Sequence, residues 1–281
     1  MPRKSRPAIL VVDDDRVTRH MTRSVLAKAG FDVRVAVDGA QAIQRLRAKR
    51  FDLMLLDVWM PRIDGLGVLD HLKRTKRKMK VIVLTSDDAP ETLLRAIRQQ
   101  AYQFVHKPVE PAALVSLVRV ALKAPPEPPI EVISARAQWV ELVVPCTREA
   151  ADRLHGVMAH LDANLPDDVR ESVGYAFREL LLNAVEWGGK LDPKRKVRIS
   201  YLRAKRMLLY RIADPGEGFD ISRLAHAAIS NPDDDPLAHD RIRQEMGLRP
   251  GGLGLVMTKA FVDDVIYNEK RNEVVLVKYL D

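Results

Sequence analysis

Cysteine is nearly absent: the 281 residues hold one, Cys146. A single thiol builds neither a disulfide framework nor a Cys-x-x-Cys zinc site, and it fits a reducing compartment. No apolar run approaches the roughly 18 residues that span a bilayer. The start, MPRKSRP, is basic, but the apolar run behind it is short and ends in three aspartates. It lacks the longer core and small-residue cleavage site of a signal peptide. No helix-turn-helix, zinc finger or aromatic-rich RNA motif is present. The expectation from these absences is a soluble cytoplasmic protein. Hydrophobic residues are plentiful at 47%, with 30% charged, so disorder is excluded and cores can form. The length suits about two domains.

The net charge of +8 is unevenly placed. Residues 1–123 hold 24 Lys and Arg against 13 Asp and Glu; residues 124–281 hold 22 against 25. A dense basic run, KRTKRKMK, lies at 73–80. Such a run can meet nucleic acid, anionic lipid or an acidic protein face; more often it is a solvated helix end.

The segment 124–129, APPEPP, has four prolines in six residues and forms an extended spacer. It sets the boundaries: one domain over 1–123, a proline-rich linker over 124–130, and a second domain over 131–281. Before the spacer, apolar runs at 8–12, 33–37, 53–56, 81–84 and 103–105 alternate with helical patterns at 16–29, 39–49, 66–75, 90–100 and 110–122. Val17, Met21, Val25 and Ala29 share one helix face. Near-continuous apolar strands between helices predict a doubly wound, five-stranded parallel sheet covered on both faces. After the spacer, a strand at 139–144 leads to helices at about 147–163 and from Pro166 to about Trp187. Strands follow near 196–202 and 207–213, then a long polar stretch to Arg249, a glycine-rich turn at 251–254, a helix and a final strand pair. This order predicts an α+β sandwich with helices on one face of a mixed sheet.

Polar groups punctuate the strand ends of the first half. Asp13, Asp14 and Asp15 follow the first strand, Asp57 ends the third, Thr85 the fourth, and Lys107 the fifth, followed by Pro108. In a doubly wound sheet that edge carries the ligand site, and strands one and three flank the switch point. Asp14 and Asp57 should therefore meet. Clustered carboxylates repel unless a cation lies between them, and all-oxygen ligands favour Mg²⁺. A carboxylate beside Mg²⁺ can be a nucleophile toward phosphorus. Thr85 and Lys107 would bind the incoming phosphoryl oxygens. Asp15 reads as a helix cap. The motifs ILVVDDD, LMLLDVWMPRIDGLGVL, VIVLTS and FVHKP, in order over 7–122, resemble a response-regulator receiver domain of the flavodoxin-like class. The resemblance implies that Asp57 is the phosphoacceptor, and that the domain catalyses its own aspartyl phosphorylation and dephosphorylation. It implies Mg²⁺ held by Asp14, Asp57 and the Trp59 carbonyl with Asp13 assisting, and Thr85 and Lys107 as sensors of the phosphoryl group. Phe104 takes the place of the switch aromatic, and the bond before Pro108 is expected to be cis.

In the second half, AFRELLLNAVEW (176–187) places Glu179 and Asn183 on one helix face. Asn183 can offer an amide oxygen to Mg²⁺, and Glu179 can act as a general base. In ADPGEGFD, Asp214 ends a strand, and Gly216 and Gly218 allow close backbone approach to a ring or phosphate. Glycines in PGGLGL, including Gly252 and Gly254, precede a helix whose N–H groups suit phosphate. About thirty polar residues between these elements read as a lid. Together they resemble the GHKL ATPase fold over about 135–281, with its N, G1 and G2 boxes, and within it the anti-sigma-factor serine kinases. That resemblance implies ATP bound with a second Mg²⁺ through Asn183, adenine read by Asp214, and Glu179 as base. Two departures stand out: Trp187 replaces a common His, and Pro250 replaces the first G2 glycine.

His155 and His160 read as half-exposed helix residues, His106 as a strand-end side chain, Cys146 as a small buried residue, and Trp139 as sheet packing. The combined expectation is a response regulator in which phosphorylation of Asp57 by a sensor histidine kinase controls an ATP-dependent serine/threonine kinase. Its partners would be an anti-anti-sigma protein as substrate and a sigma factor held in the alternative state. The other reading is a non-catalytic, ATP-gated module that sequesters a regulator. Homodimerisation is open, with no coiled coil visible.

Overall fold

A computed structural model describes residues 6–87, 89–125, 128–136, 138–220, 235, 237–245 and 253–280. The chain divides into two compact units, Met1–Pro126 and Glu127–Asp281. Among the described residues, no helix is long and apolar enough to cross a membrane.

The first unit alternates β1 (Ala8–Val12), α1 (Arg16–Lys28), β2 (Asp32–Ala36), α2 (Gly39–Ala48), β3 (Leu53–Asp57), α3 (Gly65–Arg74), β4 (Lys80–Thr85), α4 (Pro90–Arg98), β5 (Gln103–His106) and α5 (Pro111–Lys123). All pairings are parallel, in the order β2-β1-β3-β4-β5, the expected doubly wound sheet. Every residue of β1 and β3 is buried, as strands covered on both faces require. One core joins Ile9, Val11, Leu53 and Leu55 to Leu26 of α1 and to Leu114 and Val118 of α5. Asp15, Asp38 and Asp64 cap α1, α2 and α3 by accepting from first-turn N–H groups, so the Asp15 expectation holds.

The apolar row on α1 does not face inward as a whole. Its fully buried residues are Thr22 and Leu26, whereas Val17 is 65% and Met21 58% exposed. The basic run also has a definite structural use. Lys73 donates to the Arg98 carbonyl at 3.0 Å, Arg77 to that of Leu46, and Lys80 to that of Ala121 at 2.7 Å and to that of Ala124. These carbonyls lie at or beside the C-terminal ends of α4, α2 and α5, where cations offset the helix dipole. Lys80 also lies over the Tyr102 ring.

The second unit runs β6 (Glu131–Arg136), β7 (Trp139–Pro145), α6 (Arg148–Leu161), α7 (Asp167–Asn183), β8 (Lys196–Ala204), β9 (Met207–Ala213), α8 (Ala238–Glu245), α9 (Gly254–Phe261), β10 (Asp264–Tyr267) and β11 (Glu273–Tyr279). A π-helical turn at Ala184–Gly188 follows α7. The sheet order is β10-β11-β9-β8-β7-β6, and all its described pairings are antiparallel. This corrects the mixed sheet expected from the sequence: hairpins β6–β7, β8–β9 and β10–β11 force antiparallel neighbours. It retains the α+β character of the expected GHKL sandwich. Buried residues alternate along β7 and β9 (Val140, Leu142, Val144; Leu208, Tyr210, Ile212), giving the sheet one fully covered face. β6 and α8 were not expected. Trp139, at the first position of β7, is 39% exposed rather than packed inside. Cys146 is buried and free, while His155 and His160 are half-buried on α6. Residues 221–234 of the expected lid, Pro250 and Gly252 lie outside the described residues.

The core of this unit contains an acid. Asp162, 3% exposed, accepts from the Tyr201 hydroxyl at 3.0 Å and from the Tyr210 hydroxyl. Burial raises its pKa to about 6, against the lowering effect of these two hydrogen bonds. The folded state therefore holds the proton more tightly than the unfolded chain. The resulting stability is fully present below the unfolded value of 3.8 and is lost as pH rises through about 6. The shift corresponds to about 3 kcal/mol. Asp162→Asn should remove this pH dependence, and chemical denaturation from pH 5 to 8 measures it. The variant's advantage over wild type should grow as pH rises; a constant difference across the range would show that Asp162 does not titrate there.

Candidate functional site

In the first unit, parallel strands bring their carboxyl ends to one edge, and the expected groups meet there. Asp13 is buried just beyond β1 and Asp57 is buried at the end of β3. Exposed Asp14 completes a set of three carboxylates whose ligand atoms lie within 4.8 Å of one another. Lys107, beyond β5, places Nζ 2.8 Å from Asp13 Oδ2 and 3.1 Å from Asp57 Oδ2. The Val58 N–H donates to Asp57 Oδ1 at 2.8 Å, and the Asp15 N–H to Asp13 Oδ1 at 2.9 Å. Each buried carboxylate thus has one oxygen on a backbone donor and the other on Lys107.

Thr85 is fully buried at the end of β4, Phe104 is buried on β5, and His106 is exposed. Trp59 is 58% exposed two residues after Asp57. The Lys107–Pro108 bond is cis, as expected.

The electrostatics follow from burial against pairing. Burial pushes the Asp57 carboxyl above its ordinary value; Lys107 opposes this and Asp13 adds to it. For Lys107, burial favours the neutral amine, but the Asp13 hydrogen bond and the charges of Asp13 and Asp57 together raise its pKa. A single ammonium thus contacts two of the three carboxylates but balances only one charge. The remaining negative charge and the all-oxygen donor set fit a hard divalent cation such as Mg²⁺.

Gly65 was missed, although its Asp-Gly pair stood in the sequence. A Cβ there would lie 2.1 Å from the Asp57 carbonyl, and the Gly65 N–H donates to the Val58 carbonyl at 2.8 Å. Only hydrogen fits at this contact, which holds the β3–α3 loop against the Asp57 backbone.

In the second unit, the separate motifs also converge. Glu179 and Asn183 are half-buried on α7, one turn apart. Glu179 meets the start of α9: a Cβ on Gly254 would lie 2.4 Å from its Oε2. Asp214 follows β9, and its Oδ1 accepts from the Gly216 N–H at 2.7 Å. Gly188 closes the π turn against the same carboxylate, where a Cβ would approach Oδ1 to 2.2 Å. Burial raises the Asp214 pKa, while the Gly216 hydrogen bond and Arg195 oppose the rise. Gly218 adopts φ +87° in the same loop, a conformation that favours glycine. Trp187 is 51% exposed within the π turn, at a helix irregularity often found near functional sites.

Asn272 was not anticipated. Its carbonyl accepts from the Asp214 N–H at 2.9 Å and its side-chain amide donates to the Gly216 carbonyl at 3.1 Å. It tethers the glycine loop from the β10–β11 turn. No local motif marked it, because its partners lie more than fifty residues away. The half-buried acceptor Asp214, its glycine cradle and the Asn183 amide fit an adenine nucleotide with its metal.

A family model for the response regulator receiver domain matches residues 9–119, and one for the histidine kinase-like ATPase domain matches residues 146–278. The response regulator MprA of Mycobacterium tuberculosis is 35% identical over 142 residues, 50% of this chain and 61% of that protein. The chain thus spans about three fifths of that relative's length. The DNA-binding response regulator MtrA of Mycobacterium leprae is 31% identical over 204 residues, 71% of this chain and 89% of that protein. Among solved structures, the receiver domain of NtrX from Brucella abortus aligns at 32% identity with a TM-score of 0.40, covering 42% of this chain and 99% of that one.

The Lys107 bridge makes a direct prediction. Lys107→Ala removes the cation that holds the Asp57 pKa down, so that pKa should rise further. Carboxyl ¹³C NMR titration of the metal-free protein reads it. An unchanged Asp57 titration would show that the ion pair does not set its charge.

Proposed function

Because the chain belongs to the response regulators, with a receiver domain joined to a histidine kinase-like ATPase domain, we propose that phosphorylation of Asp57 controls an ATP-binding output domain acting as an anti-sigma-factor-type serine/threonine kinase. The observation that carries the receiver half is the Lys107 ammonium bridging Asp13 and Asp57 within a set of three carboxylates. The Lys107 charge favours the ionised Asp57 carboxylate against the effect of its burial, and the group is placed for attack. An Asp57 oxygen bonds to the phosphorus of a phosphohistidine on a sensor kinase; the P–N bond breaks and the imidazole regains a proton. Lys107 then binds a phosphoryl oxygen, and the Thr85 hydroxyl donates to another. Asp13, Asp14, Asp57 and the Trp59 carbonyl would hold Mg²⁺, which offsets charge on the transferring oxygens.

The output half is supported by the meeting of Glu179 with Gly254 and of Asp214 with Gly188 and Gly216. Asp214 accepts a hydrogen bond from the adenine amino group. Asn183 would hold the Mg²⁺ of the nucleotide, and the N–H of Gly254, at the start of α9, would meet its phosphates. Glu179 takes the proton from a Ser or Thr hydroxyl of an anti-anti-sigma protein; that oxygen attacks the γ-phosphorus and ADP leaves. In its other state the domain holds a sigma factor.

A second reading is favoured by exposed Trp187, which stands where the family commonly has His. In it the domain binds ATP and sequesters a regulator without transferring phosphate.

Two substitutions test the receiver and the output half in turn. Asp57→Asn should abolish acid-labile phosphoryl uptake from acetyl phosphate, read by intact mass. Glu179→Ala should slow transfer to an anti-anti-sigma protein by at least about a hundredfold, as loss of a general base does, while retaining Mg-ATP binding. A wild-type protein that binds Mg-ATP and a sigma factor but transfers nothing would establish the sequestering module instead.

A further inference from the structure

Asp38 does more than begin α2. It is fully buried, yet it carries a carboxylate. Its Oδ1 accepts from the Gln41 N–H at 2.8 Å, which caps the helix. Its Oδ2 meets the guanidinium of Arg62, its one ionic partner among the described residues. Arg62 belongs to the β3–α3 loop and adopts φ +69°, a region that non-glycine residues rarely enter. Its neighbour Ile63 is tied to the same place. The Gly39 N–H donates to the Ile63 carbonyl at 3.1 Å, and a Cβ on Gly39 would lie 2.4 Å from that oxygen. The base of the loop is closed separately, by the Gly65 N–H on the Val58 carbonyl at 2.8 Å. Trp59, Met60 and Pro61 are the three residues between the tie at Val58 and the tie at Arg62.

We propose that the Asp38–Arg62 pair positions the Trp59 carbonyl for a hard divalent cation, so that a buried carboxylate outside the acidic set governs the affinity of that set for metal. The inference deepens the reading of Asp13, Asp14, Asp57 and the Trp59 carbonyl as a metal site, and rests on it. A backbone carbonyl has no rotamer of its own; it points where its peptide is held. Here the peptide is held from both sides. A buried charge tolerates the loss of its partner poorly, so Asp38 keeps Arg62 in its left-handed conformation and the loop in one place. Asp38 and Arg62 are positioning residues, acting through the Trp59 peptide.

Mn²⁺ tests this, titrated alone into the full-length protein without nucleotide, with the free ion counted by electron paramagnetic resonance. Asp38→Asn keeps an oxygen for the Gln41 N–H and removes the charge. It should weaken Mn²⁺ binding roughly tenfold, as loss of a group that orients a ligand does. Arg62→Ala should weaken it similarly, and Arg62→Lys should recover most of the affinity. Arg62→Ala also leaves the Asp38 charge unpaired and should lower the thermal midpoint. The Asp38→Asn/Arg62→Ala double variant should regain that midpoint but bind Mn²⁺ no better than either single variant. Wild-type affinity in Asp38→Asn, or affinity that returns with stability in the double variant, would overturn the proposal. Mn²⁺ binding that survives Asp14→Asn would instead strike the reading of the carboxylates as the metal site. Hydrogen exchange over 58–64 would then decide whether the pair fixes the loop: faster exchange in Asp38→Asn supports the tie, and wild-type exchange removes it.

Discussion

Like charges brought together at one sheet edge are the constraint on which the receiver depends. Five parallel strands end on the same side, so Asp13, Asp14 and Asp57 are gathered whether or not their charges are compatible. Lys107 answers this by lying between Asp13 and Asp57. Backbone donors take the other oxygens, and Gly65 lets the β3–α3 loop close on the Asp57 carbonyl. The resulting pocket sets one positive charge against three carboxylates and remains acidic. Such an all-oxygen, acidic pocket suits a hard cation.

The opposite edge of the same unit shows the complementary solution. Helices returning antiparallel to the strands present their C-terminal carbonyls there. The basic run after α3 supplies Lys73, Arg77 and Lys80 to carbonyls of α4, α2 and α5. The aspartate caps stand at the other end, at the starts of α1, α2 and α3. Dipole compensation thus gives Lys73, Arg77 and Lys80 a structural use within a run that in sequence read as a solvated helix end or a contact for an anionic partner. Helix α4 departs from this capping pattern: Ala89 makes no side-chain cap, and Asp87 accepts from the Ala89 N–H and the Thr92 hydroxyl instead.

The second unit is assembled by the absence of side chains. Gly188, Gly216 and Gly254 each stand where a Cβ would strike Asp214 or Glu179. Three distant segments can therefore approach two carboxylates closely. Asn272 then tethers the glycine loop through the neighbouring strand pair. The Asp162–Tyr201–Tyr210 cluster ties the end of α6 to the sheet at the cost of a buried acid.

Local pattern by itself determined the strand–helix alternation of the receiver and the edge on which its acids collect. Apolar runs of five residues can only be buried strands, and parallel strands align their ends. It also determined that Glu179 and Asn183 share a helix face, because the α-helical period does not depend on what the helix packs against. Only the tertiary structure decided which side of α1 is buried: periodicity marks a face, but packing sends Thr22 and Leu26 inward and leaves Val17 and Met21 in water. It likewise decided that β6 joins the sheet edge, that Trp139 stays open, and that Asn272 and Gly188 serve Asp214. Each of these depends on contacts between residues far apart in the chain, whose meeting is set by the packing of whole elements rather than by any local preference.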